Sequence, residues 1–256
     1  MDHGFFGESS FLTGIEDLEH AVRTLVQAAP DAIQLSPGQA PLLQRLAGPG
    51  KPALVLRTDV ANVYGPSPPP TLWSELVEDA LGQAVRLDAA CVVVNLLSLP
   101  GEHELRRQCV RNVSALRAAC DPCAMPLMVE PLAMKQGADG YGVNGDADTV
   151  VTLVRQAVEL GADVIKADPT DDLNEYGRVV EAAGRVPVLV RGGGRAPDDE
   201  ILRRTEAVFQ QGAAGIVYGR NVVQHADPVG MTLALMAVVH EGASAEQALA
   251  DLAARA

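Results

Sequence analysis

Lysine is scarce in this chain of 256 residues, and aromatic residues make up only 4% of it. No apolar run approaches the ~20 residues that a membrane span needs, and Asp2 and His3 stand where a secretory signal would have a basic start. A net charge of −13 leaves no basic stripe that could neutralise nucleic-acid phosphates. We therefore expect a cytoplasmic protein that binds neither membranes nor nucleic acid.

Cysteine is also rare, with four residues in all. Cys120 and Cys123 form a Cys-x-x-Cys pair, but a zinc site would need a second pair or histidines at a suitable spacing, and the sequence has neither. A redox pair is the alternative, although Pro122 and the position just before an apolar run favour a plain loop. We predict no metal site and no cofactor.

The chain does contain a regular alternation of helical patterns and short apolar runs. Gly161 is placed to end one helix, and the segment from Ser244 to Gln247 resembles a capping box that opens the last one. The apolar runs are rich in Val, Ile and Leu without clean alternation, as is typical of parallel strands covered on both faces. The predicted strands are residues 32–35, 53–59, 90–97, 127–131, 163–168, 187–192 and 215–219.

Seven strands leave one missing from a closed (β/α)8 barrel, which needs every strand for closure. The first strand must then lie at residues 1–4, so it is either short or truncated at the N-terminus. An open doubly wound sheet is the alternative, but its glycine fingerprint after the first strand is absent. The sequence predicts a single α/β domain over residues 1–256, a (β/α)8 TIM barrel, with a rigid surface loop at residues 66–70.

Lys166 is the most informative residue, because it alone of the three lysines (Lys51 and Lys135 are the others) lies inside an apolar strand. An ammonium there must find a partner or lower its pKa, and a neutral amine can attack a carbonyl and form a Schiff base. Strand alternation places it on the inward face. The alternative is a structural lysine paired with Asp163 or Asp168.

Polar residues recur where the predicted strands end, which is the edge at which a barrel of this type carries its active site. One mouth would gather a lysine and several carboxylates, although each residue alone could be a cap or a surface charge. The strand-end residues are Asp2, Arg57, Asp59, Asn95, Glu130, Lys166 and Asp168.

The turns after the last two strands are rich in glycine and carry arginine. Such turns are the recurrent phosphate site of these barrels, since bare backbone amides and a guanidinium fork can approach an anion. A tight loop without a ligand is the alternative. The predicted phosphate-binding residues are Arg191, Gly192, Gly193, Gly194, Gly219 and Arg220.

Four stretches resemble the archaeal-type class I fructose-bisphosphate aldolases of the DeoC/LacD superfamily. They are Met-Asp-His-Gly at 1–4, Gly-Ala-Asp-Val-Ile-Lys at 161–166, Val-Pro-Val-Leu-Val-Arg-Gly-Gly at 186–193 and Gly-Ala-Ala-Gly-Ile-Val-Tyr-Gly-Arg-Asn at 212–221. The resemblance covers nearly the whole chain. It implies a metal-free barrel of carbohydrate metabolism, catalysis through a Schiff base on Lys166, phosphate binding, a role for Asp2 at substrate hydroxyls or in proton transfer, and a homo-oligomer.

One departure from the family pattern concerns the acid–base tyrosine that follows strand five, because Leu132 stands at its position. Glu130, two residues earlier, is our candidate for the missing proton-transfer group, and we expect burial to raise its pKa towards neutrality against the opposing charge of Lys166. Its rivals are Tyr141 on a flexible loop at 137–145, Tyr64 and Asp2. The structural alternative is that Glu130 only pairs with an arginine such as Arg57.

The leading functional prediction is a class I aldolase that acts on a small phosphorylated ketone or ketose. The same family includes 2-amino-3,7-dideoxyheptulosonate synthase and the thiolase of phosphorylated autoinducer-2, so a transferase is the second reading. A catalytically silent ligand-binding barrel is the third, and it is favoured slightly by Leu132.

Overall fold

A computed structural model of the chain describes residues 1–65, 69–138 and 140–255. The predicted loop at 66–70 lies partly outside these ranges. Ten strands are present in the described part of the chain: Ala32–Leu35 (β1), Ala53–Arg57 (β2), Asp59–Ala61 (β3), Ser74–Leu76 (β4), Cys91–Ser98 (β5), Leu127–Gly137 (β6), Gly140–Val143 (β7), Val164–Ala167 (β8), Val188–Arg191 (β9) and Gly215–Val217 (β10).

Seven of these strands form one curled parallel sheet in the order β1-β2-β5-β6-β8-β9-β10. Neighbours pair in register along the sheet, as in Val94 with Val129 and Lys166 with Leu189. Each of the seven predicted strands is confirmed, and the sheet is that of a TIM-barrel fold, as predicted. The short first strand expected at residues 1–4 is absent from this described part of the chain, because a 3-10 helix covers His3–Phe6.

The α-helices of the described ranges are Leu18–Val26 (α1), Ala40–Gln44 (α2), Ala80–Arg86 (α3), His103–Cys120 (α4), Ala147–Glu159 (α5), Tyr176–Ala183 (α6), Asp198–Gln210 (α7), Arg220–Val223 (α8), Pro228–Met236 (α9) and Ala245–Ala253 (α10). Gly161 follows α5 with a φ of 94°, and Ser244 accepts a hydrogen bond from the amide of Gln247 at the start of α10. Both predicted helix-end signals are confirmed. None of the helices in the described ranges has the length and hydropathy needed to cross a bilayer.

Two antiparallel pairs were not predicted. The predicted strand 53–59 divides after Arg57, and its second part, β3, pairs with β4. The predicted strand 127–131 continues to Gly137 and turns back as β7, so Tyr141 pairs with Gln136. Residues 140–143 therefore form the second strand of a hairpin, and the prediction of a loop over residues 137–145 is wrong for them.

The sheet has an interruption between β1 and β10, at the place of a first strand. The first residues of the chain lie beside it, with the amino group of Met1 donating to the carbonyl of Gln34 at 2.5 Å and a short 3-10 helix over His3–Phe6. The carboxylate of Asp2 is thereby brought to the mouth of the barrel.

The inward faces of the strands are arranged in two layers. The lower layer is apolar and forms a cluster of its own: Val55, Cys91, Val93 and Met128, with Val164 and Leu189 packed against it. Two residues further along the same strands the inward positions become polar, since alternate residues of a strand share a face. This upper layer consists of Arg57, Asn95, Glu130, Lys166 and Arg191.

Candidate active site

The Nζ atom of Lys166 lies 3.0 Å from Oε2 of Glu130, and both side chains are buried. The two partners that we considered for a structural lysine are engaged elsewhere: Asp163 pairs with Arg117 and Asp168 pairs with Arg191. Burial lowers the pKa of Lys166, and the charge of Glu130 only partly opposes this effect. The amine is therefore easier to deprotonate than an exposed lysine.

Glu130 is the centre of the polar layer, because three cations meet its carboxylate. Arg57 and Lys166 contact Oε2, and Nε of Arg191 lies 3.1 Å from Oε1. Burial alone would raise the pKa of Glu130, but Lys166, Arg57 and Arg191 together lower it to about 2. Our expectation of a pKa near neutrality is wrong, and the predicted pairing with Arg57 is present.

Arg57 connects this carboxylate to the N-terminal segment and to Asp59. Its side chain is 1% exposed and donates to Asp2 at 2.7 Å and to Asp59 at 3.2 Å. Burial would raise the pKa of Asp2, but Arg57 and the terminal amine keep it well below its usual value. Asp59 in turn accepts from the side-chain amide of Asn95 at 2.9 Å, so Asn95 helps to hold Asp59 against Arg57.

A cavity of about 500 Å³ opens onto Lys166. It continues into the interruption of the barrel wall between β1 and β10. Its volume lies within the range of small-molecule sites. Of the predicted site residues, it is lined by Asp2, Arg57, Tyr64, Glu130, Lys166, Arg191, Gly192, Gly193, Gly219 and Arg220.

The turns after β9 and β10 meet at one side of this cavity. Gly193 has a φ of 64°, which favours glycine, and a Cβ on Gly219 would lie 2.9 Å from Cε1 of His3. Arg220 stacks over the ring of Phe11, 4.5 Å from its centroid, and donates to the carbonyl of Gly193 at 3.1 Å. The arrangement places the guanidinium of Arg220 and the backbone of both turns beside the cavity.

Some predicted members of this site have other roles. The amide of Gly192 donates to the carbonyl of Val217 at 3.2 Å, so that N–H is already used. Gly194 and Asp168 line a neighbouring cavity. The guanidinium of Arg191 is held between Glu130 and Asp168, whereas Arg220, the other predicted arginine, forms no salt bridge within the described ranges.

The three rivals of Glu130 for the missing proton-transfer group lie in different places, and Asp2 lines the cavity while paired with Arg57. Tyr64 lines the cavity, whereas Tyr141 lies on β7 outside its lining. Leu132 is buried in the main apolar core.

His3 was missed by the sequence reasoning, although it directly follows Asp2 in a motif that we had singled out. Its ring lines the cavity, and its Nδ1 atom is buried with no hydrogen-bond partner in the described part of the chain. Burial and the nearby terminal amine lower its pKa to about 4, so the imidazole is neutral at pH 7. Within the described ranges, no group of His, Cys, Asp and Glu side chains is arranged to hold a metal ion.

Comparison with known proteins places this geometry in a family. The family model of the DeoC/LacD aldolases matches residues 1–225. A 2-amino-3,7-dideoxy-D-threo-hept-6-ulosonate synthase of Halobacterium salinarum is 32% identical over 250 residues, which cover 98% of this chain and 88% of that protein. A 3-hydroxy-5-phosphonooxypentane-2,4-dione thiolase of Salmonella typhimurium is also 32% identical over 250 residues, covering 97% and 78%.

Among solved structures, a Schiff-base-forming fructose-1,6-bisphosphate aldolase matches with a TM-score of 0.77 and 27% identity, over 94% of this chain and 92% of its own. An archaeal fructose-1,6-bisphosphate aldolase with a carbinolamine on its catalytic lysine matches with a TM-score of 0.76 and 26% identity, over 93% and 91%. This chain is a member of the DeoC/LacD family of aldolases.

Proposed function

We propose that the protein is a class I aldolase that cleaves or forms a carbon–carbon bond in a phosphorylated ketone or ketose, with Lys166 as the nucleophile and no metal required. The observation that carries this proposal is the contact of Lys166 with Glu130 at the base of a cavity. Burial lowers the pKa of Lys166 and so increases the neutral fraction of its amine at a given pH.

The proposed reaction begins when the neutral Nζ attacks the substrate carbonyl carbon. The resulting carbinolamine takes up a proton on its hydroxyl and loses water, and the positively charged iminium withdraws electrons so that the adjacent carbon–carbon bond can break. Glu130, with a pKa of about 2, remains a carboxylate and can accept protons but cannot donate one in the resting enzyme.

The charges around Lys166 favour this intermediate. Four buried carboxylates, Asp2, Asp59, Glu130 and Asp168, face two buried cations, Arg57 and Lys166, and the partly buried Arg191. An iminium on Nζ keeps the positive charge that the resting ammonium carries in this network. The surrounding dipoles therefore need little reorganisation to stabilise it, which is the basis of electrostatic catalysis.

A phosphate group of the substrate would bind beside Gly193, Gly219 and Arg220. Arg220 is the cation of this group that faces the cavity, and a guanidinium is well matched to phosphate oxygens. A substrate whose phosphate binds at these residues and whose carbonyl lies at Lys166 would be held at both ends. Such binding would orient the carbonyl for attack by Nζ.

A transferase of the same fold is the second candidate, because a synthase and a thiolase are each 32% identical to this chain. Both chemistries can begin with a substrate carbonyl near Lys166, so the fate of the released fragment distinguishes them. An aldolase releases a free aldehyde or ketone, whereas a transferase passes the fragment to a second substrate.

The test is borohydride reduction in the presence of a panel of phosphorylated ketoses and aldehydes, followed by peptide mass spectrometry. The expected result is an adduct on the peptide with Lys166, which is absent in Lys166→Arg because a guanidinium stays protonated. An adduct on Lys51 or Lys135 instead would refute the assignment. Release of free triose phosphate would identify the lyase, and its absence with adduct formed would favour the transferase.

A further inference from the structure

Tyr64 is held in one orientation at the edge of the cavity. It follows β3, and its ring makes edge-to-face contacts with Phe6 and Phe11, each at 5.3 Å between centroids. Such aromatic pairs fix a ring beyond the effect of burial alone. The phenol is thus a positioned group at the cavity wall.

The hydroxyl of Tyr64 is connected to the amine of Lys166 through two side chains. Nη2 of Arg191 donates to the hydroxyl oxygen at 3.4 Å, and Nε of the same guanidinium lies 3.1 Å from Glu130. The other oxygen of Glu130 contacts Lys166. All four side chains line the same cavity.

This hydroxyl has a proton to give. Arg191 can only donate, so the phenol oxygen is the acceptor in their contact and its own hydrogen is free for another partner. In the described part of the chain, the Arg191 contact is the hydrogen bond that the Tyr64 hydroxyl makes. The neighbouring carboxylate cannot serve as donor, because Glu130 is ionised, and Leu132 has no proton to transfer.

We propose that Tyr64 is the proton donor that removes water from the carbinolamine on Lys166. This inference rests on the proposed Schiff-base function. In the step, the phenol O–H bond breaks and its proton goes to the carbinolamine hydroxyl. The C–O bond then breaks, water leaves, and the lone pair of Nζ forms the C=N bond of the iminium. The phenolate later recovers a proton from a substrate hydroxyl or from water.

Electrostatics agree with this assignment. Burial raises the pKa of Tyr64 to about 12, so the phenol is protonated at the start of the step, while Arg191 acts in the opposite direction and would stabilise the phenolate as it forms. Arg191 is therefore a positioning residue for both Tyr64 and Glu130, which explains why its guanidinium is occupied by protein groups.

His3 is the competing donor within the cavity. Its imidazole is neutral at pH 7 and its Nδ1 is unpaired in the described structure. However, it lies against Gly219, on the side of the phosphate turns. We therefore assign His3 to the phosphate side of the cavity and the role of proton donor to Tyr64.

The experiment compares Tyr64→Phe with the wild type in rapid-mixing borohydride trapping with dihydroxyacetone phosphate. Phenylalanine keeps the ring contacts with Phe6 and Phe11, so the thermal midpoint should change little. The trapping rate should fall by ~10² or more, the usual contribution of a general acid. Native mass spectrometry should show an adduct on Lys166 that retains the elements of water, since the carbinolamine accumulates.

Tyr141→Phe is the matched control, because it removes the same atom outside the cavity, and it should trap at the wild-type rate. If Tyr64→Phe also traps at the wild-type rate, the assignment is overturned. It is equally overturned if His3→Asn reproduces the slow trapping and the water-retaining adduct while Tyr64→Phe does not. If the wild type forms no adduct at Lys166 with this ketone or with the wider panel, both the donor and the proposed function are wrong.

Discussion

Oε2 of Glu130 lies 3.0 Å from Nζ of Lys166, and the charge of this carboxylate raises the pKa of an amine that burial lowers. Replacing Glu130 by glutamine should therefore lower the pKa of Lys166 further. We expect the acid limb of the pH profile for borohydride trapping to move to lower pH in Glu130→Gln. Overall turnover should nevertheless fall by ~10² or more, since the proton acceptor is lost.

The control for this profile is Glu159→Gln, which removes an exposed carboxylate paired with Arg155 on α5. Its trapping profile should match that of the wild type. A limb that moves to higher pH in Glu130→Gln, or near-normal turnover, would contradict the role of Glu130.

Acid stability should also depend on Glu130. Its pKa is lowered from 4.5 to about 2 in the folded protein, so the folded state gains on the order of 3 kcal/mol from its ionisation. Because the folded pKa is the lower one, this stability is present above pH 4.5 and is lost as the pH falls through about 2. Denaturant unfolding at pH 6 and pH 3 should show a smaller loss in Glu130→Gln than in the wild type. An equal loss in both proteins would show that other carboxylates control this pH range.

Arg220→Ala should raise the KM for a phosphorylated substrate by ~10-fold or more, the cost of one charge-assisted hydrogen bond. An unphosphorylated analogue should be affected much less, because the guanidinium faces the phosphate end of the cavity. Steady-state kinetics with both substrates measures the difference. Arg195→Ala, which removes an exposed arginine near the same turn, serves as the control. Equal losses for the two substrates would mark Arg220 as structural.

Gly219→Ala should disturb the phosphate side of the cavity, because the added Cβ would lie 2.9 Å from Cε1 of His3 and one of the two must move. Overpacking of this kind costs about 1–3 kcal/mol, and we expect the KM for the phosphorylated substrate to rise. Gly194→Ala is the matched control, since a Cβ there has nothing within 4 Å. Identical kinetics in the two variants would show that close approach at Gly219 has no importance for binding.

The strands and the inward orientation of Lys166 could be predicted because each depends on residues that are adjacent in the sequence. The apolar pair Val164-Ile165 followed by Lys166 and Ala167 is sufficient to identify β8, and strand alternation then orients Lys166. The β6–β7 hairpin could not be found in this way, because its second strand, Gly140–Val143, has two glycines and resembles a loop. Pairing with β6 supplies the order that its own residues do not encode.

The direction of the pKa shift of Glu130 could not be predicted from its neighbours in the sequence, for a different reason. Burial of a carboxyl can be anticipated from a strand, but the shift depends on which cations meet it. Arg57 and Arg191 come from strands far away in sequence, and their side chains could equally have faced a ligand. For the same reason, the engagement of Arg191 by protein carboxylates could not be anticipated from a glycine-rich turn.

The interruption between β1 and β10 has a consequence for local opening. In the part of the chain that the structure describes, the sheet ends at these two strands, and the outer carbonyl of Gln34 has only the amino group of Met1 as partner. Strands at the end of a sheet open at lower free energy than those in its middle. Amide hydrogens of Ala32–Leu35 and Gly215–Val217 should therefore exchange with solvent before those of Cys91–Ser98 and the pairing part of Leu127–Gly137. The cavity is lined by residues of β1, of β10 and of the N-terminal segment. A ligand that fills it would contact both edges of the interruption, and slower exchange at both edges would report its binding.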